Sequence, residues 1–286
     1  YYFQHSDDFR LIIASFEKGN KTDIHLHSNK LISYFQLLKY CLINKVDVIH
    51  AHYAGFYGLL GALLPGKLKV LSVWGSDIYM PSSSSKIRVV ILRVMLSIYK
   101  YVISTSKDMA DLANRIYPRE YIVMPFGVDT SVYKPDRSIN RDNKIVLGTV
   151  KKLHHVYGVD KLIVLFSEFC KKNSNIKAEL HIYGDGEERN YLEDLTYKLN
   201  VRHSTFFFGR AEQCDVPSIL NSFDIFLALS RSESFGVSVI EASAVGLPVI
   251  TSDVGGLKEV VCDQMTGYII NMTQYPTDEQ INKLSL

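Results

Sequence analysis

The sequence has little that would point to a metal, a disulfide framework, a membrane span or a nucleic-acid coat. Its four cysteines, Cys41, Cys170, Cys214 and Cys262, are widely spaced and form no Cys-x-x-Cys. They are read as buried thiols of a reducing, cytoplasmic compartment, with neither zinc nor disulfides expected. No Asp-x-Asp occurs, and His25-Leu26-His27 and His50-Ala51-His52 each lack a nearby Cys or acidic third ligand, so no metal site is expected. There is no run of about 18 uncharged apolar residues; the best stretch, Val89 to Ile103, is broken by Arg93 and Lys100. Tyr1-Tyr2-Phe3-Gln4-His5 has neither an initiator Met nor the basic start of a signal peptide, and the expectation is a fragment of a longer protein. An excess of one charge is also missing: 32 Lys plus Arg face 30 Asp plus Glu, a formal net charge of +2. That balance excludes a protein that coats nucleic acid through phosphate contacts, so any anion site must be local.

What is present is a foldable chain of 286 residues, 47% hydrophobic and 22% charged, long enough for two domains with a core each. Short apolar runs alternate with helix-length segments, the pattern of β-α units that build parallel sheets covered on both faces. In the first half, strands are expected at Leu11–Ala14, Val46–His50, Val70–Trp74, Tyr101–Ser104 and Ile122–Met124, forming one five-stranded sheet. Helices are expected at Lys30–Ile43, Gly55–Leu64, Lys86–Tyr99 and Lys107–Ile116, the last with Ser106 as N-cap. The turn-rich, charged stretch 129–143 then interrupts the alternation. It is read as a linker between domains at 1–128 and 144–286. In the second domain, strands are expected at Ile145–Val150, Glu179–Tyr183, Thr205–Phe208, Asp224–Leu229, Pro248–Thr251 and Tyr268–Ile270. Its helices are expected near Val159–Lys171, Glu187–Leu199, Val216–Asn221 and Phe235–Val245, with a short turn at Leu257–Val261. The fold class is therefore α/β, two doubly wound Rossmann-like domains with a cleft between them, ligands binding at the carboxyl edges of the strands.

The richest loop follows the apolar strand Ile225–Leu229: Ser230-Arg231-Ser232-Glu233-Ser234-Phe235-Gly236-Val237, opening a helix that ends at Gly246 and Pro248. A helix start offers free N–H groups and the positive end of the helix dipole, which favour a phosphate by about 0.3–1 kcal/mol and about 2 kcal/mol when partly buried. Glu233 before the helix and Glu241 within it are placed to touch different parts of one ligand. A second loop, Lys151-Lys152-Leu153-His154-His155-Val156-Tyr157-Gly158, puts two cations at the end of a parallel strand, where they can neutralise a diphosphate. A third, Gly184-Asp185-Gly186, lacks the third glycine of a dinucleotide fingerprint because Arg189 stands there. That argues against a dehydrogenase. In the first half, His50-Ala51-His52 and Ser72-Val73-Trp74-Gly75-Ser76-Asp77 each end a strand. Lys86 to Lys100 is apolar with interspersed cations, a core helix with snorkelling basic residues or an interfacial helix on an anionic bilayer.

The string Glu233-Ser-Phe-Gly-Val-Ser-Val-Ile-Glu241-Ala, followed by Gly246-Leu-Pro-Val-Ile and Gly255-Gly-Leu-Lys-Glu259, resembles the nucleotide-sugar domain of family 4, group 1 type glycosyltransferases, among them those of bacterial surface polysaccharides. Pro125-Phe-Gly-Val-Asp129 resembles the segment that joins this family's two domains, and Asp47–His52 with Ser72–Asp77 resembles its acceptor domain. The resemblance implies the GT-B architecture, no cofactor or metal, and transfer of a sugar from a nucleotide-diphosphate donor to a glycan or lipid-linked hydroxyl, with retention at the anomeric carbon. It also implies roles. Glu233 would contact the transferred sugar, the backbone at Phe235 and Gly236 the sugar and diphosphate, and Glu241 the ribose, with Ser234 and Val237 as further donor-binding candidates. Near Phe208-Gly209-Arg210 the backbone would meet the base, and Gly184 is a further donor-binding candidate. Where the family usually has Arg and Lys-Gly, this chain has Lys152 and Tyr157-Gly158, while Lys151-Lys152-Leu153 also fits the variant Lys-x-Leu with Tyr-Gly; which lysine holds the diphosphate stays open. His52, Trp74 and Asp77 are the acceptor-side candidates, Asp77 and His52 standing in for a catalytic His where this chain has Trp74. The resemblance also implies a chain truncated at both ends, lacking a first strand and terminal helices. The alternatives are a binding-only nucleotide-sugar protein and a glycosidase using paired carboxylates.

Overall fold

The computed structural model describes residues 10–17, 22–79, 85–136 and 144–271. The amino-terminal five residues and positions 137–143 of the expected linker lie outside the described residues. The chain forms two compact units: Tyr1–Ile103 with Ile116–Tyr121, and Ser104–Arg115 with Ile122–Leu286.

The first part of the chain runs β1 (Ala14–Ser15), β2 (Ile24–His25), α1 (Lys30–Asn44), β3 (Val48–His52), α2 (Phe56–Leu63), β4 (Leu68–Ser72), α3 (Lys86–Ile98), β5 (Tyr101–Ser104), α4 (Lys107–Ile116) and β6 (Ile122–Val123). The main sheet here has four strands, ordered β3-β4-β5-β6, not the expected five. The strand expected at Leu11–Ala14 shrinks to β1 and pairs in parallel with β2 in a separate two-stranded sheet. β2 is only two residues long, too short to register as alternation. Helix starts follow local chemistry. Asn29 caps α1 by accepting from the N–H groups of Leu31 and Ile32, and Ser85 caps α3 by accepting from that of Ile87. At α4, Ser106 accepts from the Met109 N–H as expected, and Glu259 adds a second cap, its two oxygens accepting from the N–H groups of Lys107 and Asp108 at 2.8 Å each. A carboxylate at a helix start is favoured by the dipole, and this one ties α4 into the second unit.

The second part continues with β7 (Ile145–Val150), α5 (Val159–Lys172), β8 (Ala178–Tyr183), α6 (Arg189–Lys198), β9 (Thr205–Gly209), α7 (Val216–Asn221), β10 (Ile225–Ala228), α8 (Val237–Ala244), β11 (Val249–Ser252), α9 (Leu257–Val260) and β12 (Gly267–Ile270). Its six strands are all parallel, in the order β9-β8-β7-β10-β11-β12. Numbered within this unit, that is 3-2-1-4-5-6, the doubly wound order whose switch point lies between the first and fourth strands. Two apolar clusters line the sheet. One gathers Phe166, Phe169, Leu180, Ile182 and Leu227; the other gathers Phe223, Phe226, Val239, Ala242 and Leu257. Among the described residues, no helix is long and apolar enough to cross a membrane.

Of the four cysteines, only Cys41 is fully buried; Cys170 is half-buried, and Cys214 and Cys262 are exposed, which corrects the expectation of four buried thiols. Both exposed thiols lie in loops, between β9 and α7 and between α9 and β12.

Candidate active site

The switch point of the second sheet lies between β7 and β10, and the two loops that sequence motifs singled out leave the carboxyl ends of these two strands. They converge. The Lys151 ammonium meets the Glu233 carboxylate at 2.6 Å, 82 residues apart in sequence, and both side chains are close to nine-tenths covered, at 11% and 13% exposure. Lys151 Nζ also lies 5.1 Å from the centre of the Tyr157 ring, a cation-π geometry. Burial and the Glu233 charge hold the Tyr157 hydroxyl above its ordinary range. Lys152 is exposed, so the two lysines are not equivalent: one is held against Glu233 and the other faces solvent.

Backbone packing fixes this geometry. Lys151 donates its N–H to Tyr183, and Leu153 donates to Asp185, at 2.9 and 3.0 Å, so the Lys151 loop lies flat on the Gly184-Asp185-Gly186 turn. Gly184 has φ +150°, and a Cβ there would run into the Lys151 carbonyl oxygen; Gly158 has φ +61°, and a Cβ there would run into that of Leu229. Both positions need glycine. The loop after β10 is fastened to α5 by Arg231, which donates to both oxygens of Asp160 at 2.7 and 2.6 Å and to the His155 carbonyl at 2.9 Å. Burial pushes the Asp160 carboxyl up, but the Arg231 hydrogen bonds and charge outweigh it and leave it below the usual carboxylate range. From the other side, Gly256 donates to the Glu233 carbonyl at 3.1 Å. Glu233 is thus held at three points of its loop.

Ser234 is half-buried, Phe235 and Gly236 are buried, and Val237 is exposed. Gly236, at φ +98°, precedes α8 and supplies no side-chain cap; the first turn of α8 therefore has the N–H groups and dipole that suit an anion. The Phe235 ring packs edge-on against Phe126, centroids 5.5 Å apart. Glu241 lies on α8 beside the Tyr133 hydroxyl, which accepts a 2.8 Å hydrogen bond from Gln213. Burial first, then the Glu241 hydrogen bond and charge, push Tyr133 up to about 12. Tyr133 comes from the stretch read as linker, and nothing in its neighbours marked it. Phe208 is 49% exposed and stacks on Tyr183, centroids 4.5 Å apart and planes 9° from parallel. Gly209, next to it, accepts from the Gly184 N–H at 2.7 Å, so Gly184, Phe208 and Gly209 form one edge.

The acceptor-side candidates group within the first unit. His50 and His52 stack with centroids 4.3 Å apart, and His52 lies 5.5 Å from the Trp74 ring. His50 Nε2 is 2.8 Å from Ser72 Oγ. Burial, then the neighbouring His52, lower His50 to about 4, and burial lowers His52, so both rings are neutral near pH 7. Trp74 is 40% exposed. Asp77 is different. It is buried, and its carboxylate accepts from the N–H groups of Ala54, Trp74 and Gly75 at 2.8 to 3.3 Å. Both oxygens are occupied by main chain, the arrangement of a loop organiser. Tyr53, following His52, has φ +81°, a left-handed backbone that is uncommon for a bulky residue and that marks constrained loops at sites. Among the described residues no three His, Cys, Asp or Glu side chains come together as a metal site would require.

Two parallel-sheet Rossmann-like units define the α/β class of the GT-B glycosyltransferases. Residues 134–284 match the family described as glycosyl transferases group 1, and residues 9–106 match glycosyl transferase 4-like proteins. The chain belongs to the group 1 glycosyltransferase family. It is similar to an uncharacterized glycosyltransferase of Methanocaldococcus jannaschii, 30% identical over 58% of this chain and 42% of that protein. It is also similar to the N-acetyl-alpha-D-glucosaminyl L-malate synthase of Bacillus anthracis, 28% identical over 78% of this chain and 61% of that protein. The matched region thus spans less than two thirds of the length of either relative. In fold the chain is similar to the Anabaena protein HepE solved in complex with UDP-glucose, with a TM-score of 0.77 and 19% identity over 96% of this chain and 80% of that one.

Proposed function

We propose that the chain carries the donor-using machinery of a retaining glycosyltransferase, moving a sugar from a nucleotide-diphosphate donor, UDP-linked as in the HepE complex, to a glycan or lipid-linked hydroxyl in surface polysaccharide synthesis. The observation that carries this reading is the Lys151–Glu233 pair at the switch point of the second sheet, beside the start of α8. As the bond from the anomeric carbon to the diphosphate breaks, negative charge grows on the leaving oxygens. Lys151, Lys152 and the first-turn N–H groups of α8 stabilise that charge, more in the transition state than in the ground state. Glu233 holds Lys151 in place and contacts the transferred sugar; Ser234, Phe235, Gly236 and Val237 approach the sugar and diphosphate through backbone; Glu241 accepts from the ribose hydroxyls. Gly184, Phe208 and Gly209 form the edge that meets the base. On the acceptor side, His52 and Trp74 face the acceptor, and Asp77 contributes by holding their loop. The reaction needs no metal. The join between acceptor and donor domains falls in 129–143.

Calorimetric titration with UDP and with GDP, each with and without EDTA, tests the donor site. The expected result is UDP binding that EDTA leaves unchanged and that Glu241→Ala weakens by about 10- to 150-fold, the loss of a hydrogen bond to a charged group. Binding of neither nucleotide overturns the donor reading. Replacing Lys151 and Lys152 together by Ala is expected to lower turnover about a hundredfold or more. Wild-type turnover by that double variant breaks the leaving-group assignment, and hydrolysis of an aryl glycoside without nucleotide would favour a glycosidase instead.

A further inference from the structure

The helices α1, α2 and α3 of the first unit contain no Asp or Glu, while α1 carries Lys30 and Lys39 and α3 carries Lys86, Arg88 and Arg93. α3 is apolar on two sides. Leu92, Met95 and Leu96 are buried, whereas Ile87, Ile91, Val94 and Ile98, spaced four, three and four apart, are exposed, Ile87 by 71%. That spacing is one continuous stripe along the helix. Lys86 and Arg93, seven apart, run along its flank, Arg93 also donating to the Ile116 carbonyl at 2.8 Å. Beside the stripe, between α2 and α3, a groove of about 450 Å³ is walled by Phe56, Leu59, Ile87, Ile91 and Met95, with Arg88 also lining it. The side-chain ammonium of Lys30 lies 4.7 Å above the Phe56 ring, bringing the start of α1 to the same region, where Leu31 and Phe35 are also exposed.

We propose that this face of the first unit docks on an anionic lipid bilayer, α3 lying in the interface with its apolar stripe among the acyl chains and its cations at the headgroup phosphates. An exposed aliphatic stripe flanked by cations, on helices without a carboxylate, is complementary to an anionic apolar–polar boundary. A second protein copy would meet the same cations and gain nothing from them. Helix α3 is 13 residues long, enough to lie in an interface and too short to span. The groove also touches Tyr53 and Asp77, one residue past His52 and in the Trp74 loop. An acyl chain drawn into it brings a lipid headgroup beside the acceptor-side cluster. This last step rests on the glycosyltransferase reading and selects a lipid-linked acceptor over a free glycan.

The test is flotation of the full chain with vesicles of phosphatidylcholine alone and of phosphatidylcholine mixed with phosphatidylglycerol. The expected result is binding to the mixed vesicles, weakened by salt. Lys86→Ala with Arg88→Ala should reduce it about thirtyfold, about fivefold per cation. Ile87→Ser with Val94→Ser should reduce it about tenfold or more. Should the apolar pair fail to fold, the cation pair, confined to exposed side chains, decides alone. No binding, equal binding to both vesicles, or unchanged binding by the variants overturns the proposal. So does a dimer in analytical ultracentrifugation that Val94→Ser dissolves. UDP titration on the same preparations separates the two readings: a chain that floats without binding UDP keeps the docking surface and loses the donor site, and the reverse holds for one that binds UDP without floating.

Discussion

The two units spend their apolar residues differently. The second covers its sheet with two clusters in which Phe166, Phe169, Phe223, Phe226 and Leu227 are fully buried, and the same packing presses the Lys151 and Glu233 loops together. The first buries Leu71, Val73, Leu96 and Tyr99 but leaves Leu31, Phe35, Leu63, Ile87 and Val94 half exposed or more. A helix that is apolar on its outer side gains nothing from that side in water, so those residues are not explained by folding. One unit turns its apolar residues inward and brings a lysine and a glutamate together at one switch point; the other leaves an apolar face exposed.

The sharpest break of this comparison is a matched pair of substitutions. Phe226→Ala in the second unit is expected to cost about 3–5 kcal/mol, through lost burial and a cavity. Val94→Ser in the first should change stability by about 0.5 kcal/mol or less. Urea unfolding followed by circular dichroism measures both; a similar cost for the two would mean that α3 packs its outer stripe after all. A smaller effect is expected at Asp77. Asp77→Ala leaves the N–H groups of Ala54, Trp74 and Gly75 without their carboxylate, a cost of about 2–3 kcal/mol. Hydrogen exchange should show those three amides losing protection while UDP affinity in the second unit is unchanged. Loss of acceptor turnover without that local loosening would return Asp77 to a direct chemical role.

What the sequence made legible follows from how local each signal was. The strand Ile145–Val150 and the helix α7 at Val216–Asn221 were readable residue for residue, because apolar runs and breakers declare themselves within a few positions. The loops after β7 and β10 stood out in the sequence for the same reason. Their direct meeting was not. The Lys151–Glu233 contact joins positions 82 apart, and only the strand order of the sheet, which no local pattern encodes, brings them to one switch point. Arg231 with Asp160 and Tyr133 with Glu241 were missed likewise, each a tertiary pair whose members look like ordinary loop or helix residues alone. Asp77 was legible as a residue of interest, but its partners are backbone N–H groups, which a sequence does not display as donors aimed at one point.

The finest comparison concerns two histidines two positions apart. His50 sits against Ser72 on one side and the His52 ring on the other, and it is lowered to about 4 in the folded chain against 6.5 ordinarily, first by burial and then by His52. As pH falls through 6.5 the unfolded chain takes up this proton and the folded chain does not, so stability drops with pH down to about 4 and levels off below it. Ser72→Ala removes the hydrogen-bond partner and leaves the stacking, and His52→Ala does the reverse. If the stack governs, His52→Ala raises the His50 titration midpoint, followed by NMR of the ring protons, while Ser72→Ala leaves it near 4. The opposite ranking would place the control of His50 in the hydroxyl, and the cluster of His50, His52 and Trp74 would then be a hydrogen-bonded relay and not an aromatic platform leading to Trp74.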